Sequence, residues 1–580
     1  MMEENNVEVG VVVFAFCCLL LFTGYLLYSF SDKDNYWSYT IAVYLSWVLG
    51  FSGVILLPLD LAYAKKVTVE NNPLLGSWIF VFWSTFFLAW IIDPIMQSFH
   101  DNGSYEPKTR LCGALKENIK FYVIIVVIVV GVFILLFFLN EQETDIDTFV
   151  EVLIDLGTVY GMLFIIVLLG LGLVEVPRSL WQRSDPIKSL KRLHFESQEI
   201  ENEYQDARFE LEAIIRAVKS AEQQESRNGE VSELGMFISH VVAKCPLHVI
   251  EEMSSSNNRT NEHNLDIVDI DTFSKLHAKL LKALRLYKST SDKWQQTLNY
   301  ADELEALVAG RPPAYAKASN FGKFYWRWRV TLGKPFLMIC AVVCGIFSLA
   351  IIWGEVTIML VDAGSPVLSI YGWVVQVTSG GVDTMIATFL PLFYMAYCMF
   401  FTMFDIKFLK HYKLTKRSTD ASGLLFNAYY LCRLQFSLGY NFLLVLDYAT
   451  VQSNNAEKPN PNGRMLHTAF QSVIGNMSSI TWFNRYSPVV LISLSLATAF
   501  NWHAKVLSWI GVDVFVEPQE GNAEHTDRIE EGKRLLRRER DKRERDGICS
   551  PGRVNNGISL SSMKSRTPKK LGGDVYKSFV

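Results

Sequence analysis

Three polar residues sit four apart inside one long apolar run: Arg433, Ser437 and Asn441, within SGLLFNAYYLCRLQFSLGYNFLLVLDY at residues 422–448. If the run is helical, that spacing places them on one face. About 27 residues at 1.5 Å rise exceed the roughly 30 Å of a hydrocarbon core, so Arg433 falls near mid-depth. A guanidinium there costs roughly 3 kcal/mol on insertion scales and is expected to face protein or water and to have a partner. Two kinds of chemistry fit such a stripe. It can line the path of an ion or small solute, or it can clamp helices together, since interhelical polar contacts worth about 0.6 kcal/mol each are ordinary packing devices in membranes. The clamp is favoured. The candidate counter-charges are Asp60, Asp93, Asp155, Glu175, Glu355 and Asp383. Asp93 and Glu175 fall near cytosolic ends of predicted spans, the other four near outer ends.

Catalytic groupings are absent from the sequence. There is no GxSxG, HExxH, P-loop or CxxC pattern, and no histidine pairs with a carboxylate at metal-ligand spacing inside a span. The expectation is a protein that is not an enzyme and holds no cofactor or metal. Cys340 and Cys344 share a helix face, where packing explains two small side chains better than ligation. No cysteine falls in a predicted external loop, so no disulfide framework is implied.

The elements that must position the stripe are membrane helices. Apolar runs of about 20 residues recur almost free of charge, which soluble cores do not do. Nine spans are predicted, at 9–30, 37–62, 76–95, 121–139, 149–174, 335–357, 382–404, 422–448 and 488–510. The start of the chain is acidic (Glu3, Glu4, Glu8), so the N-terminus is placed outside. That orientation puts the basic flanks after spans three, five, seven and nine in the cytosol and the acidic loop NEQETDIDTF outside. A stretch at 361–381 is short and broken by Tyr371-Gly372; counting it as a span would invert the later basic loop, so it is read as re-entrant or interfacial. Asn476 is then the sequon open to glycosylation, while Asn102 and Asn258 fall on the cytosolic side.

Between the two blocks of spans, Ala207, Leu211, Ile214, Val218 and Ala221 recur at helical spacing, as do Phe273, Leu276 or His277, Leu280 and Leu284, and then Trp294, Leu298, Ala301, Leu304 and Val308. Narrow apolar stripes on charged helices want partner helices. The simplest assembly is an antiparallel coiled-coil hairpin projecting from the membrane, and a coiled coil with another chain leaves the same stripe. The hairpin ends at Gly310-Arg311-Pro312-Pro313, and FGKFYWRWRVTLGK (321–334) reads as an interfacial stretch with basic side chains toward anionic lipid. The run DRIEEGKRLLRRERDKRERD (527–546) reads as a solvated helix in a charged, largely disordered tail.

The fold class is thus an all-α polytopic membrane protein. It comprises a five-helix block (1–175), a cytosolic helical insert (176–332), a four-helix block (333–510) and a cytosolic tail (511–580). The run LLFNAYYLCRLQFSLGYNFL, the segment GLVEVPRSLW after span five, the LLPLD ending of span two and the five-plus-four layout together resemble the LMBR/LIMR family of membrane proteins, the limb-region and lipocalin-interacting membrane receptor type. The similarity covers roughly residues 10 to 510. It implies a multi-pass receptor-like or adaptor protein without known catalysis, in a family associated with lipocalin uptake, lysosomal cobalamin handling and receptor modulation. It further implies protein partners among G-protein-coupled adrenergic receptor signalling components at the plasma membrane, with an endolysosomal membrane as the other location. Two functions remain in view: an adaptor that docks partners through its cytosolic arm, and a transporter or channel whose path runs along the stripe.

Overall fold

The computed structural model describes residues 2–66, 72–139, 146–228, 233–247, 249–251, 269–312, 320–360, 368–405, 414–446, 468–474, 481–500, 502 and 523–545. Among these residues the regular structure is helical: α1 (Met2–Phe30), α2 (Trp37–Ala64), α3 (Leu75–Asp101, interrupted by a π turn at Leu88–Ile92), α4 (Pro107–Leu139), α5 (Ile146–Ser184), α6 (Pro186–Asn228), α7 (Glu233–Val242), α8 (Ile270–Val308), α9 (Asn320–Thr331), α10 (Gly333–Leu360), α11 (Ile370–Val377), α12 (Val382–Asp405), α13 (Ala421–Val445), α14 (Ala469–Ile474), α15 (Thr481–Ala499) and α16 (Ala523–Arg545). Six helical stretches among the described residues are long and apolar enough to cross a membrane: Gly10–Phe30, Trp37–Ala64, Leu75–Asp101, Val159–Ser184, Gly333–Met359 and Val382–Phe404. Of the other three expected spans, 121–139 lies in α4, 422–448 overlaps α13 as far as Val445 and 488–510 overlaps α15 as far as Ala499; these helices are not among those six, and residues 447–448, 501 and 503–510 lie outside the described ones. At eight residues, α11 is about 12 Å long, too short to cross.

The stripe helix, α13, is the axis of the bundle. Asp420 caps its N-terminus, its carboxylate accepting from the Gly423 N–H at 3.2 Å. Of its 25 residues, 20 are buried, packed by α2, α3, α5, α10 and α12. Lipid is as apolar as leucine, so what holds such a helix is close packing and polar matching rather than exclusion of water. Gly161 of α5 shows the first: a Cβ there would sit 3.1 Å from Ser437 Cβ and nearer still to its hydroxyl. The surroundings of Gly157, one turn earlier at GxxxG spacing, lie outside those described.

The helices turn at two levels. At one lie the α1–α2 loop, the α3–α4 loop, the segment before α13 and the ends of α5 and α15, where the Arg178 guanidinium caps α15 by donating to the carbonyls of Thr498 and Ala499 at 2.8 and 2.9 Å. At the other lie Asn72, Thr378 and Ala469, near the C-terminal end of α2.

The insert is an antiparallel pair, α6 against α8, with a hydrophobic core. Leu211, Ile215, Val218, Phe273 and Leu280 are fully buried, each worth about 1.5–3 kcal/mol relative to exposure. The 3.6-residue repeat buries Ile215 rather than Ile214, and His277 rather than Leu276. Gly310, at φ +64°, ends α8 in the left-handed conformation a C-cap glycine supplies.

Two expectations change here. The pair does not project. Along α8, His277 meets the carbonyl of Gly103, Arg285 pairs with Asp101 and Asp420, Lys288 pairs with Asp32, Gln296 donates to the carbonyl of Lys416 and Glu303 pairs with Arg329 of α9. These contacts span 26 residues, about 39 Å of helix, so α8 lies across the ends of the membrane helices. The physical reason is charge: the helix-end loops carry Asp32, Asp101 and Asp420, and the exposed face of α8 carries the cations that match them. Nor is the tail helix α16 solvated on all sides, since Leu536 is 2% exposed, buried among Leu193, Trp294, Leu298, Ala301 and Leu304 of α6 and α8. The rest of the tail beyond residue 545 and the 503–522 segment lie outside the described residues.

Candidate functional site

Arg433 is held by a defect in α3. Pro94 has no N–H, so the carbonyl of Trp90, one turn earlier, loses its helical donor. At the adjoining π turn the Asp93 N–H bonds back to Leu88 O, so the carbonyl of Ala89 loses its donor too. In a bilayer such orphans must be satisfied within the protein. The Arg433 guanidinium donates to Ala89 O at 3.0 Å and the Tyr122 hydroxyl of α4 donates to Trp90 O. The guanidinium also lies over the rings of Trp90, 4.0 Å from its centroid, and Tyr429, 4.8 Å away. Among the described ion pairs none joins Arg433 to Asp60, Asp93, Glu175, Glu355 or Asp383, and the side chain of Asp155 lies outside the described residues. A carbonyl and two aromatic faces stabilise the guanidinium without bringing a second full charge of their own. Asp93 adjoins this group, fully buried and accepting from the Ser46 hydroxyl at 2.9 Å, with Oδ1 unpartnered.

One turn on, Ser437 faces Gly161. Another turn on, the Asn441 amide donates to Glu355 Oε1 of α10 at 2.8 Å, with both residues buried. The stripe therefore meets three different helices: α3 at Arg433, α5 at Ser437 and α10 at Asn441. Asn427 donates within its own helix, to Gly423 O at 2.7 Å.

The remaining acids go elsewhere. Asp60 is fully buried and accepts four hydrogen bonds, from Asn72 Nδ2 (2.8 Å), Trp78 Nε1 (3.0 Å) and the backbone N–H groups of Ala469 (3.1 Å) and Phe470 (2.7 Å). It ties α2 and α3 to the start of α14, where N–H groups and the helix dipole favour an anion. Glu175 pairs within α5 with Arg178 at 3.5 Å, and Asp383 caps the turn before α12, accepting from the N–H groups of Ser379 (2.7 Å) and Gly381 (3.0 Å). The side chain of Asp155, together with Asn476 and Asn258, lies outside the described residues.

The seam can bind helices to one another: its hydrogen bonds run from side chain to main chain or between helices. A crevice beside it, lined by Gly50, Gly53, Gln435, Gly439 and Phe470, has room for about one water molecule. Sequence reasoning missed Trp90, Tyr122 and Tyr429. The signal that pointed to them was Asp93-Pro94 itself, since a proline inside an apolar helix announces an orphan carbonyl one turn earlier. On the arm, burial pushes His277 down to about 4, reinforced by Lys244, Arg110 and His240 and opposed by the Gly103 carbonyl, so the ring is neutral where α8 meets the α3–α4 loop.

With this geometry in hand, the comparisons are specific. The profile of the LMBR1-like membrane protein family matches residues 8–503. The chain is 27% identical to the G-protein coupled receptor-associated protein LMBRD2 of Gallus gallus and 26% identical to that of Homo sapiens, in each case over 92% of this chain and 83% of the relative. It is 23% identical to the LMBR1 domain-containing protein 2 homolog B of Dictyostelium discoideum, over 92% of this chain and 70% of that one. No solved structure matches.

Proposed function

The chain belongs to the LMBR1-like membrane protein family, and from that premise we propose that it is a non-enzymatic receptor-associated adaptor of nine spans, modulating receptor signalling or trafficking. In this reading the N-terminus lies outside and the arm, with the C-terminus, in the cytosol. The plasma membrane is its site, and Asn476 the glycosylated sequon. The partners are components of G-protein-coupled receptor signalling, in keeping with the names of the vertebrate relatives.

The observation that carries the reading is the arm braced across the helix ends by α8. That arrangement leaves the opposite side of α6 facing away from the membrane, where Phe209 is 63% exposed. Binding on that face would be transmitted to three loops at once, which a free appendage could not do. The transporter reading draws less support, because the stripe that would line its path meets a carbonyl at Arg433, a glycine at Ser437 and a carboxylate at Asn441.

The test places a photo-crosslinking residue at Phe209 of the full chain in cells. Capture of a G-protein-coupled receptor or G-protein subunit, identified by mass spectrometry and not captured from a control at the lipid-facing Phe336, supports the adaptor. Equal yields at the two sites, together with solute flux in reconstituted vesicles that Arg433→Leu abolishes, would replace it with the transporter.

A further inference from the structure

The tail helix rests on the arm by one narrow face. Among its described side chains Leu536 is the one that is buried, seated among Leu193 of α6 and Trp294, Leu298, Ala301 and Leu304 of α8. Four residues earlier Gly532 lies under α6, where a Cβ would come within 2.5 Å of Ser197 Oγ and 2.8 Å of the carbonyl carbon of His194, so only glycine fits. Four residues later Arg540 bridges Glu305, at 3.0 Å, and Asp302. The positions i, i+4 and i+8 thus supply a close approach, an apolar plug and a charge pair.

The groove is built by α6 and α8, whose core around Leu211 and Phe273 does not include the tail, whereas the cluster of Leu193, Trp294 and Leu298 takes in Leu536. Besides Leu536, α16 adds contacts along its edges: Gln198 donates to Glu531 at 3.1 Å, Arg528 lies over the Phe195 ring, Arg543 donates to Gln295, and Arg540 makes ion pairs whose members are 30–36% exposed. Pairs at that exposure bind weakly and fade with salt. Tethering, which raises the effective concentration to the order of mM, is what favours the chain's own helix over any other.

We propose that this groove is a docking site for a basic amphipathic helix of the pattern Gly-x3-Leu-x3-Arg, that α16 occupies it in cis, and that a protein partner presenting such a helix displaces α16. The acidic rim of Asp302 and Glu305 selects the basic end, and the close approach to His194 and Ser197 selects the glycine. The inference concerns the arm alone and holds whether or not the receptor reading does.

The probe is a fluorescein-labelled peptide of residues 523–545, titrated by anisotropy against the full chain in nanodiscs. Two tail-released chains are compared with it: Leu536→Asp with Arg540→Glu, and a chain ending at residue 522. Both should bind the peptide at least about tenfold more tightly than the unaltered chain, as loss of a tethered competitor requires. A peptide carrying Leu536→Asp should not bind, and Asp302→Lys with Glu305→Lys in the tail-released chain should weaken binding about tenfold. Equal affinity for all three chains, or no binding to either released chain, would overturn the proposal. Dimerisation of the unaltered chain that Leu536→Asp abolishes would also overturn it, by giving the groove to the tail of a second copy.

Discussion

At Arg433 a guanidinium is held by one carbonyl and two aromatic rings; at Arg285, on the arm, another is held by two carboxylates, Asp101 at 2.7 Å and Asp420 at 3.5 Å. The first lies within the bundle and the second at its edge, and the difference follows from the surrounding medium. Between membrane helices a second full charge would bring its own desolvation penalty, so a dipole and π faces serve better. At the loops, water lowers that penalty and carboxylates are affordable partners. The same contrast runs through the packing. The arm has a core formed by excluding water, at Leu211, Ile215 and Phe273, whereas the bundle is fitted by small residues such as Gly161 and matched by polar groups such as Asn441 and Glu355.

The comparison can be broken at several points. The largest effect is expected for Arg433→Ala, which strands the carbonyl of Ala89 and removes two cation–π contacts at a combined cost of about 3 kcal/mol. Thermal unfolding in detergent should show that loss unchanged between low and high salt; a salt-dependent loss would mean that the charge is paired with an acid after all. A smaller effect is expected on acidification of the arm. His277 is neutral in the fold, and the unfolded ring takes up a proton near pH 6.5. Its contribution is therefore complete above about pH 6.5 and is lost as pH falls toward 4, amounting to about 2 kcal/mol at pH 5. Hydrogen exchange along α8 should quicken between pH 7 and 5 after correction for the intrinsic rate, and His277→Gln should remove most of that change. His240, which burial beside Lys244 also lowers, adds in the same direction. The smallest effect is that of Arg285→Gln, about 0.5–1 kcal/mol, measurable as weaker protection of the α3–α4 loop at low salt and absent at high salt. A salt-independent loss there would make the junction resemble the seam.

Much of this layout was legible in the residues. Hydropathy marks the runs that cannot stay in water, and four-residue spacing put Arg433, Ser437 and Asn441 on one face, which three neighbouring helices now meet. Partners were less legible, because desolvation cost identifies a residue that needs an answer without identifying the answer. Six acids were candidates for Arg433, yet Asp60 turned out to be committed to Trp78 and the start of α14, Glu175 to Arg178, and Asp383 to its own turn. The arm's stripes gave the pairing of α6 with α8. Its direction depended instead on cations of α8 finding carboxylates in three separate loops, a correspondence that no single segment displays. In α16 the one buried leucine sits in a run dominated by charge, so its face was invisible to a hydropathy reading.

The π turn in α3 also fixes angular phase. One extra residue in the turn rotates everything upstream by about 100° relative to an uninterrupted helix. Trp78, three turns before it, points its indole N–H at Asp60 Oδ2 from 3.0 Å, while Asp93, just after it, faces Ser46. Deleting a single residue from Leu88–Ile92 would leave a straight apolar helix of nearly the same length and hydropathy. It would nonetheless turn the indole away from Asp60, so the two ends of α3 could no longer both meet α2.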